Sequence, residues 1–225
     1  GGPNELGFDR SFLISASLDM PPYCFIEDGH TVGIPSEEKS PYHPQQRKGL
    51  MVPGWRDEEV DLTFAERAVE FISRHVAQKP KVPFFLYLTP SAPHRPCVPP
   101  DTVRDCSDAG LRGDMVTLVD RVVGQVADTV DRLGVGEDTL ILVTSDNGAR
   151  LSCFDGRAYG HRSCGAWRGQ KADIWEGGHR EPLIARWPAR IKPGSVTNRP
   201  VCLVDIPATC AQAAGADLPA AAAQD

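Results

Sequence analysis

Apolar residues recur at helical spacing in two long stretches of the chain, and each stretch predicts an amphipathic helix. The first helix is expected from about residue 57 to residue 77, before Pro80 and Pro83, with an apolar face of Val60, Phe64, Ala68, Phe71 and Ile72. The second is expected to end near Gly134, with an apolar face of Met115, Leu118, Val119, Val122, Val126, Val130 and Leu133. A last short helix is predicted after Asp205, with Pro207 in its first turn.

Short apolar runs predict buried strands at residues 82–88 and 140–144, and a third strand is expected at residues 183–187. Strand, helix and strand at these lengths form a βαβ unit, so residues 84–88 and 140–144 are predicted to be parallel strands of one sheet. The pattern therefore predicts an α/β fold, with a mostly parallel sheet that carries helices on both faces.

The first 56 residues are rich in proline, glycine and charge, and they predict a long irregular excursion with one short strand near residues 23–27. A loop of this length usually carries function or belongs to a larger unit. We expect residues 1–56 to be an excursion of the domain that residues 57–219 form, with residues 220–225 as a truncated end. The chain opens on Gly1 rather than Met, and we interpret it as a fragment, so a missing targeting segment indicates nothing about location.

Composition narrows the function classes. A 41% hydrophobic and 24% charged chain is ordinary for a globular protein, and the net charge of -6 argues against nucleic-acid binding. No apolar run approaches the roughly 20 residues that span a bilayer. The seven cysteines form no C-x-x-C pair, which makes a structural zinc site a poor interpretation; isolated thiols are favoured, and one or two disulfides stay open.

Polar residues follow two of the predicted strands directly. His94 comes after the first, and Asp146 and Asn147 come after the second. Ligands of open α/β sheets bind at the carboxyl ends of strands, so we expect these side chains at one edge. Asp146 and Asn147 suit a hard divalent cation, but before any resemblance is considered an ordinary Asx-type turn before Gly148 is the favoured interpretation, and calcium needs about six to eight oxygens.

The stretch from residue 150 to residue 192 is locally basic, which suits an anionic substrate, although a solvated charged face is an open alternative. Lys171 stands out within it. Gly169 precedes this lysine and Gly177 and Gly178 follow it, and glycines let the backbone lie close to a ligand.

Four segments in order resemble the sulfatases, a family of the alkaline-phosphatase-like superfamily that includes arylsulfatase A and N-acetylgalactosamine-6-sulfatase. They are residues 83–96 (PFFLYLTPSAPHRP), 139–148 (TLILVTSDNG), 169–188 (GQKADIWEGGHREPLIARWP) and 204–209 (VDIPAT). Order and spacing agree over about residues 60–219, and the opening residues 2–9 (GPNELGFD) are also similar to the middle of such enzymes. The resemblance implies the C-terminal part of a catalytic domain with an alkaline-phosphatase-like α/β/α sandwich, incomplete in this chain.

The resemblance also implies roles for particular residues. Asp146 and Asn147 would bind Ca²⁺, which polarises the sulfate oxygens. Lys171 would hold another sulfate oxygen, and His94 would contact the ester oxygen and protonate the leaving alcohol. The implied substrate is a sulfated small molecule or carbohydrate, with carbohydrates favoured, and the family suggests a location outside the cytoplasm. His161 and His179 could line the pocket, but structural or surface roles are favoured.

Sulfatases attack with a formylglycine made from Cys or Ser in a C/S-x-P-x-R motif, which we expect upstream of this chain together with two further Asp ligands. Residues 91–95 (SAPHR) match the motif and residues 97–101 (CVPPD) nearly match it. The motif should open a helix, which Pro96, Pro99 and Pro100 forbid, so we reject both and expect the fragment alone to be inactive. A phosphodiester or phosphonate ester hydrolase of the same superfamily and a non-catalytic sulfatase-like binding protein remain alternatives. A G-x-S-x-G hydrolase is disfavoured because the elbow is absent.

Overall fold

The N-terminal part forms short antiparallel pairs in the computed structural model, which describes residues 2–42, 44, 46–150 and 158–218. Strands β1 (Phe12–Ile14), β2 (Phe25–Glu27) and β3 (His30–Thr31) make one three-stranded sheet, in which Leu13 pairs with Ile26. Strands β4 (Glu37–Lys39) and β5 (Gly49–Met51) make a second sheet. The expected excursion is thus more ordered than its composition indicated, because strands of two or three residues are too short to show an alternating pattern.

A buried polar network attaches this N-terminal part to the start of the first helix. Asp57 is 3% exposed and lies in a 3-10 helix, Asp57–Glu59. Its carboxylate accepts hydrogen bonds from Lys39 Nζ at 2.8 Å, Gln46 Nε2 at 3.0 Å and Trp55 Nε1 at 2.7 Å. A buried charge is tolerated when it is paired and hydrogen-bonded, as here.

The predicted first helix is confirmed as α1 (Val60–Gln78), and the second as α2 (Gly110–Arg132). Gly134 adopts a left-handed conformation (φ 73°) just past α2, as a C-terminal stop requires. The two helices pack against each other around a core of Ala65, Ala92, Val103, Met115, Leu118 and Val122. On its other side α1 packs on β1 and β2 through an aromatic cluster of Phe12, Phe25, Trp55 and Phe64.

The prediction that residues 84–88 form a strand parallel to residues 140–144 is wrong for the described part of the chain. No strand is formed at residues 82–88, although side chains alternate there, with Phe85 and Tyr87 exposed. The segment instead packs on α1, where Phe84 contacts Phe71 and His75. Apolar alternation shows that a segment has two faces, but a strand also needs a paired neighbour.

The C-terminal part contains the other two predicted strands, in a different pairing. Strand β6 (Ile141–Val143) is half-buried and pairs antiparallel with β7 (Ile184–Arg186), with Leu142 opposite Ala185. A single-turn helix α3 (Glu176–His179) precedes β7, and the predicted last helix is confirmed as α4 (Asp205–Ala214). The carboxylate of Asp205 accepts a hydrogen bond from the backbone N–H of Cys202 at 2.7 Å.

Two composition-based expectations can be compared with the structure. No disulfide joins any two of the six described cysteines, of which Cys24 is completely buried, and the seventh, Cys153, lies outside the described residues. None of the helices in the described ranges is both long and apolar enough to cross a bilayer.

Candidate active site

The turn after β6 presents two oxygen-bearing side chains. Asp146 is exposed and Asn147 is half-buried. The amide nitrogen of Asn147 donates to the carbonyl of Gly148 at 3.2 Å, and Ser145 Oγ donates to the carbonyl of Asn147 at 3.0 Å. From the part of the chain that the structure describes, no hydrogen bond reaches the Asp146 carboxylate or the Asn147 side-chain carbonyl, so these oxygens are available to a cation.

Glu181 adds a second carboxylate near this turn, which sequence reasoning missed. Its Oε1 atom is buried and finds no hydrogen-bond partner among the described residues. Burial raises the pKa of Glu181, and the negative charge of Asp146 raises it further, while His179 lowers it. The orphaned oxygen and the nearby carboxylate both fit a site that a positive charge completes.

These donors do not make a complete metal site by themselves. The described residues contain no group of three or more His, Cys, Asp and Glu side chains arranged to hold a metal ion. The oxygen donors fit Ca²⁺ in chemical type, since calcium takes carboxylate and amide oxygens, but they fall short of its usual six to eight ligands. The residues present therefore fit part of a calcium site.

Glycines let the loop after β6 cross the loop that carries Lys171. The backbone N–H of Gly148 donates to the carbonyl of Gly178 at 2.9 Å, and that of Lys171 donates to the carbonyl of Ala149 at 3.0 Å. A Cβ atom on Gly148 would lie 2.0 Å from the carbonyl oxygen of Gly177. The glycines around Lys171 thus let two backbones touch, where the sequence suggested an approach to a ligand.

Lys171 differs from several of the basic residues around it. Arg180 pairs with Glu176 at 2.8 Å and stacks on Trp167, and Arg186 pairs with Asp131 at 2.7 Å. Lys171 is half-buried, and no described residue forms a hydrogen bond or an ion pair with its ammonium group. A partly desolvated ammonium on a backbone-anchored loop suits an anion.

His94 lies in a separate turn between the helices. The turn closes when the N–H of His94 donates to the carbonyl of Ser91 at 3.0 Å. His94 Nδ1 lies 2.8 Å from the carbonyl of Arg95. A carbonyl oxygen can only accept, so Nδ1 carries a proton and Nε2 is the nitrogen that can exchange one. No hydrogen bond of His94 reaches the Asp146 or Lys171 loops in the described ranges, so their shared edge remains a prediction.

Two carboxylates, both absent from the sequence-based site, hold the His94 turn. Asp61 in α1 accepts the backbone N–H groups of Ser91 at 2.6 Å and Ala92 at 2.9 Å. Asp19 in the N-terminal part accepts Arg95 Nε at 3.2 Å and the hydroxyl of Ser17. Burial favours a higher pKa for Asp19, but these hydrogen bonds and the charges of His94 and Arg95 outweigh it and lower the pKa.

The two remaining histidine candidates lie at the surface, and neither formylglycine look-alike opens a helix. His161 and His179 are exposed, and His179 Nε2 contacts the carbonyl of Ile174 at 2.9 Å, as expected for surface histidines. Residues 91–109, which include both formylglycine look-alikes, contain turns and irregular segments but no helix, and α2 begins only at Gly110. The helix that a formylglycine motif should open is therefore absent from both, as predicted.

Comparisons with known proteins agree on one family. The sulfatase family model matches residues 3–216. The N-acetylgalactosamine-6-O-sulfatase of Bacteroides thetaiotaomicron is 32% identical over 84% of this chain and 44% of its own length. The steryl-sulfatase of Rattus norvegicus is 44% identical over 49% of this chain and 19% of its own length.

Solved structures give the same answer for the fold. A structure from work on glycosaminoglycan metabolism by Bacteroides thetaiotaomicron superposes with a TM-score of 0.82 at 29% identity, over 100% of this chain and 54% of that chain. Ps i-CgsB in complex with k-i-k-neocarrahexaose superposes with a TM-score of 0.66 at 25% identity, over 87% of this chain and 38% of that chain. The predicted fold class, part of an alkaline-phosphatase-like α/β domain, is confirmed by these neighbours. The chain spans between 19% and 54% of the length of these relatives, and it belongs to the sulfatase family.

Proposed function

We propose that the complete protein is a sulfatase that hydrolyses sulfate esters in a calcium-dependent reaction, with sulfated carbohydrates as the substrate class. One observation carries the proposal. The loop of Asp146 and Asn147 is joined by backbone hydrogen bonds to the loop of half-buried Lys171, whose ammonium group pairs with none of the described residues. Cation ligands and an ammonium group on two linked loops suit the binding of a monoanionic sulfate ester group.

Asp146 and Asn147 would hold calcium, with Glu181 close enough to feel the charge of Asp146. Calcium bound there would supply positive charge that polarises the sulfate oxygens. The further ligands that calcium needs would come from other parts of the complete protein.

Lys171 would bind a sulfate oxygen as a point charge. Its backbone is anchored by the hydrogen bond to Ala149, and no carboxylate of the described ranges forms an ion pair with its ammonium group. Because sulfate is charged both in the bound substrate and in the transition state, this contact serves binding and turnover together.

His94 would act as the general acid at Nε2. The carbonyl of Arg95 fixes the Nδ1 proton, so the imidazole turns its other nitrogen away from its own turn. A sugar alkoxide is a poor leaving group and needs the proton that Nε2 delivers.

The nucleophile we expect is a formylglycine hydrate, generated from a C/S-x-P-x-R motif elsewhere in the complete protein. The two look-alike segments of this chain lack the helix that such a motif opens. We expect the protein to work outside the cytoplasm, as the family resemblance suggests.

Sugar sulfates are favoured because relatives are named N-acetylgalactosamine-6-O-sulfatase and a structural neighbour holds k-i-k-neocarrahexaose. The steryl-sulfatase relatives make a hydrophobic alcohol the second substrate class. A phosphodiester or phosphonate hydrolase is the alternative enzyme, and a sulfate-binding protein without turnover is the non-catalytic alternative.

The test measures products rather than binding. The complete protein is incubated with calcium and a 6-sulfated N-acetylgalactosamine, a steroid sulfate, nitrophenyl sulfate or bis-nitrophenyl phosphate. Release of sulfate, fastest from the sugar, supports the proposal. Turnover confined to the phosphate ester, or saturable binding of sulfated sugar without any release, would contradict it.

A further inference from the structure

The turn that carries His94 is tied to the core by one buried carboxylate. Asp61 is 2% exposed and accepts two backbone hydrogen bonds, from Ser91 at 2.6 Å and from Ala92 at 2.9 Å. Both donors precede His94 by only two or three residues, and the turn is closed by the bond from His94 to Ser91. Asp61 therefore fixes where the turn begins.

The carboxylate itself is held on a rigid support. Asp61 is in the first turn of α1, where the partial positive charge of the helix N-terminus favours an anion. Val60, Ala65 and Ile72 of the same helix are completely buried. The backbone of Asp61 can move only if the helix moves. The two hydrogen bonds from Ser91 and Ala92 therefore hold the His94 turn in a constant position relative to α1.

Burial of the Asp61 carboxylate costs desolvation free energy, so its presence in the core calls for a reason other than packing. Desolvation raises the pKa of Asp61, and the two backbone hydrogen bonds offset only part of that effect. An apolar side chain would fill the same space without a charge penalty. A carboxylate is required when two N–H groups must be held at once, because its two oxygens can accept both bonds.

We infer that Asp61 is a positioning residue for His94, holding the imidazole where it reaches the ester oxygen; this inference rests on the proposed sulfatase function for its catalytic consequence. Asp61 touches neither substrate nor metal in this assignment. It acts through the backbone of Ser91 and Ala92, so that the direction of His94 Nε2 follows from the position of α1.

The chain offers a matched control in α2. Asp114 is 1% exposed and accepts the backbone N–H groups of Asp105 at 3.1 Å and Ser107 at 3.0 Å. It accepts the same kind of hydrogen bonds from residues 105 and 107, which lie near α2 in the connection between the helices, eleven and thirteen positions after His94. Asp114→Asn therefore reproduces the structural consequences of Asp61→Asn without touching the His94 turn.

The first experiment is a double-mutant cycle on the complete protein with a sugar sulfate as substrate. Asparagine keeps one acceptor oxygen and turns an NH₂ donor toward the other N–H, so Asp61→Asn displaces the turn. We expect kcat/KM to fall by roughly 10- to 100-fold, the scale of an angstrom-level misplacement, and by less than about 3-fold when His94 is already alanine. Equal losses in both backgrounds would show that Asp61 acts on general stability and would overturn the inference.

Asp61→Glu keeps the charge and both acceptors, and it serves if Asp61→Asn folds poorly. Its extra methylene pushes the turn outward, so an intermediate loss that again disappears without His94 is expected. Asp114→Asn should lower kcat/KM equally with and without His94. A His94-dependent loss in Asp114→Asn matching that of Asp61→Asn would contradict a specific role for Asp61.

The second experiment reads the position of His94 without catalysis. The imidazole NMR signal of His94, assigned by its loss in His94→Ala, should shift in Asp61→Asn and Asp61→Glu and stay in place in Asp114→Asn. An unmoved signal in both Asp61 variants overturns the inference even if the protein is an active sulfatase. A shifted signal in a protein that hydrolyses no sulfate ester would refute the proposed function while supporting the positioning role.

Discussion

The backbone N–H of Lys171 donates to the carbonyl of Ala149 at 3.0 Å, which joins the lysine loop to the loop of Asp146 and Asn147. With the neighbouring bond from Gly148 to Gly178, the two loops form one backbone-linked unit. A change in one loop should therefore disturb the other, and the first prediction uses this coupling.

Gly148→Ala should destabilise the protein and weaken both the cation site of the Asp146 loop and the anion site of the Lys171 loop. Its Cβ would meet the carbonyl of Gly177 at 2.0 Å, so the backbones must separate. Forced overpacking of this kind costs typically about 1–3 kcal/mol. Urea unfolding should show that loss, and anion binding through Lys171 should weaken as the Ala149 contact is strained.

Gly124→Ala is the control for this change. Gly124 lies inside α2, and nothing lies within 4 Å of a Cβ built on it. Alanine has the higher helix propensity, so stability should rise by up to about 1 kcal/mol. If the two alanine variants unfold at the same urea concentration, the close crossing of the loops is not a constraint.

Lys171→Ala should raise KM and lower kcat for sulfate esters, because sulfate carries charge in the ground state and in the transition state. Lys171→Arg should recover only part of the activity, since a planar guanidinium cannot replace a compact ammonium. Lys192→Ala changes an exposed lysine and should match wild type. Unchanged kinetics in Lys171→Ala would remove this residue from the site.

His94→Ala should be most harmful for substrates with a poor leaving group. General acid catalysis is worth about 10²–10⁴-fold, so kcat/KM on alkyl or sugar sulfates should fall by that order. Nitrophenyl sulfate should lose much less, because nitrophenolate scarcely needs a proton. Equal losses on both substrates would make His94 a binding residue, and no loss on either would exclude it.

We expect Asp19 to stabilise the folded protein near neutral pH and to lose this contribution in acid. Hydrogen bonds from Ser17 and Arg95 and the charges of His94 and Arg95 overcome desolvation and hold its pKa below the ordinary 3.8. A lowered folded-state pKa means that the stabilisation is complete above the ordinary value and is lost as the pH falls through the folded pKa. Asp19→Asn should cost about 1–2 kcal/mol near pH 7, the scale of hydrogen bonds to a charged group, and less below about pH 4.

Unfolding curves of wild type and Asp19→Asn at several pH values provide the measurement. Asp101→Asn is the control, because the Asp101 side chain is 96% exposed beside Arg104 and its removal should have little effect. A difference between wild type and Asp19→Asn that stays constant from pH 7 to pH 3 would contradict the assignment.

The helices of this fold could be predicted from the sequence, and the pairing of its strands could not. The apolar spacing of Val60, Phe64 and Ala68 identifies α1 because helical hydrogen bonds are local. The segment around Phe85 has equally apolar residues, but its pairing depends on distant partners that the pattern does not reveal. The same reason explains why β6 was expected beside residues 84–88 and lies antiparallel to β7.

The sequence predicts some residues of the candidate site and misses others, for the same reason. His94, Asp146, Asn147 and Lys171 could be proposed because they stand in recognisable motifs after apolar runs. Asp61 could not, because an acidic residue in the first turn of a helix is ordinary and its partners Ser91 and Ala92 are 30 and 31 positions away. Glu181 could not be predicted either, because it becomes a candidate ligand only through its burial near Asp146, which the sequence does not reveal.

Calcium titration of the complete protein by calorimetry tests the central claim, that the Asp146–Asn147 turn holds part of a calcium site. Asp146→Ala removes an anionic ligand and should lower calcium affinity by orders of magnitude, while Asn147→Ala removes a neutral ligand and should lower it less. Asp101 supplies the control, because its side chain is 96% exposed and it lies outside both loops, so Asp101→Ala should bind calcium like wild type. Wild-type calcium affinity in both Asp146→Ala and Asn147→Ala would contradict the account.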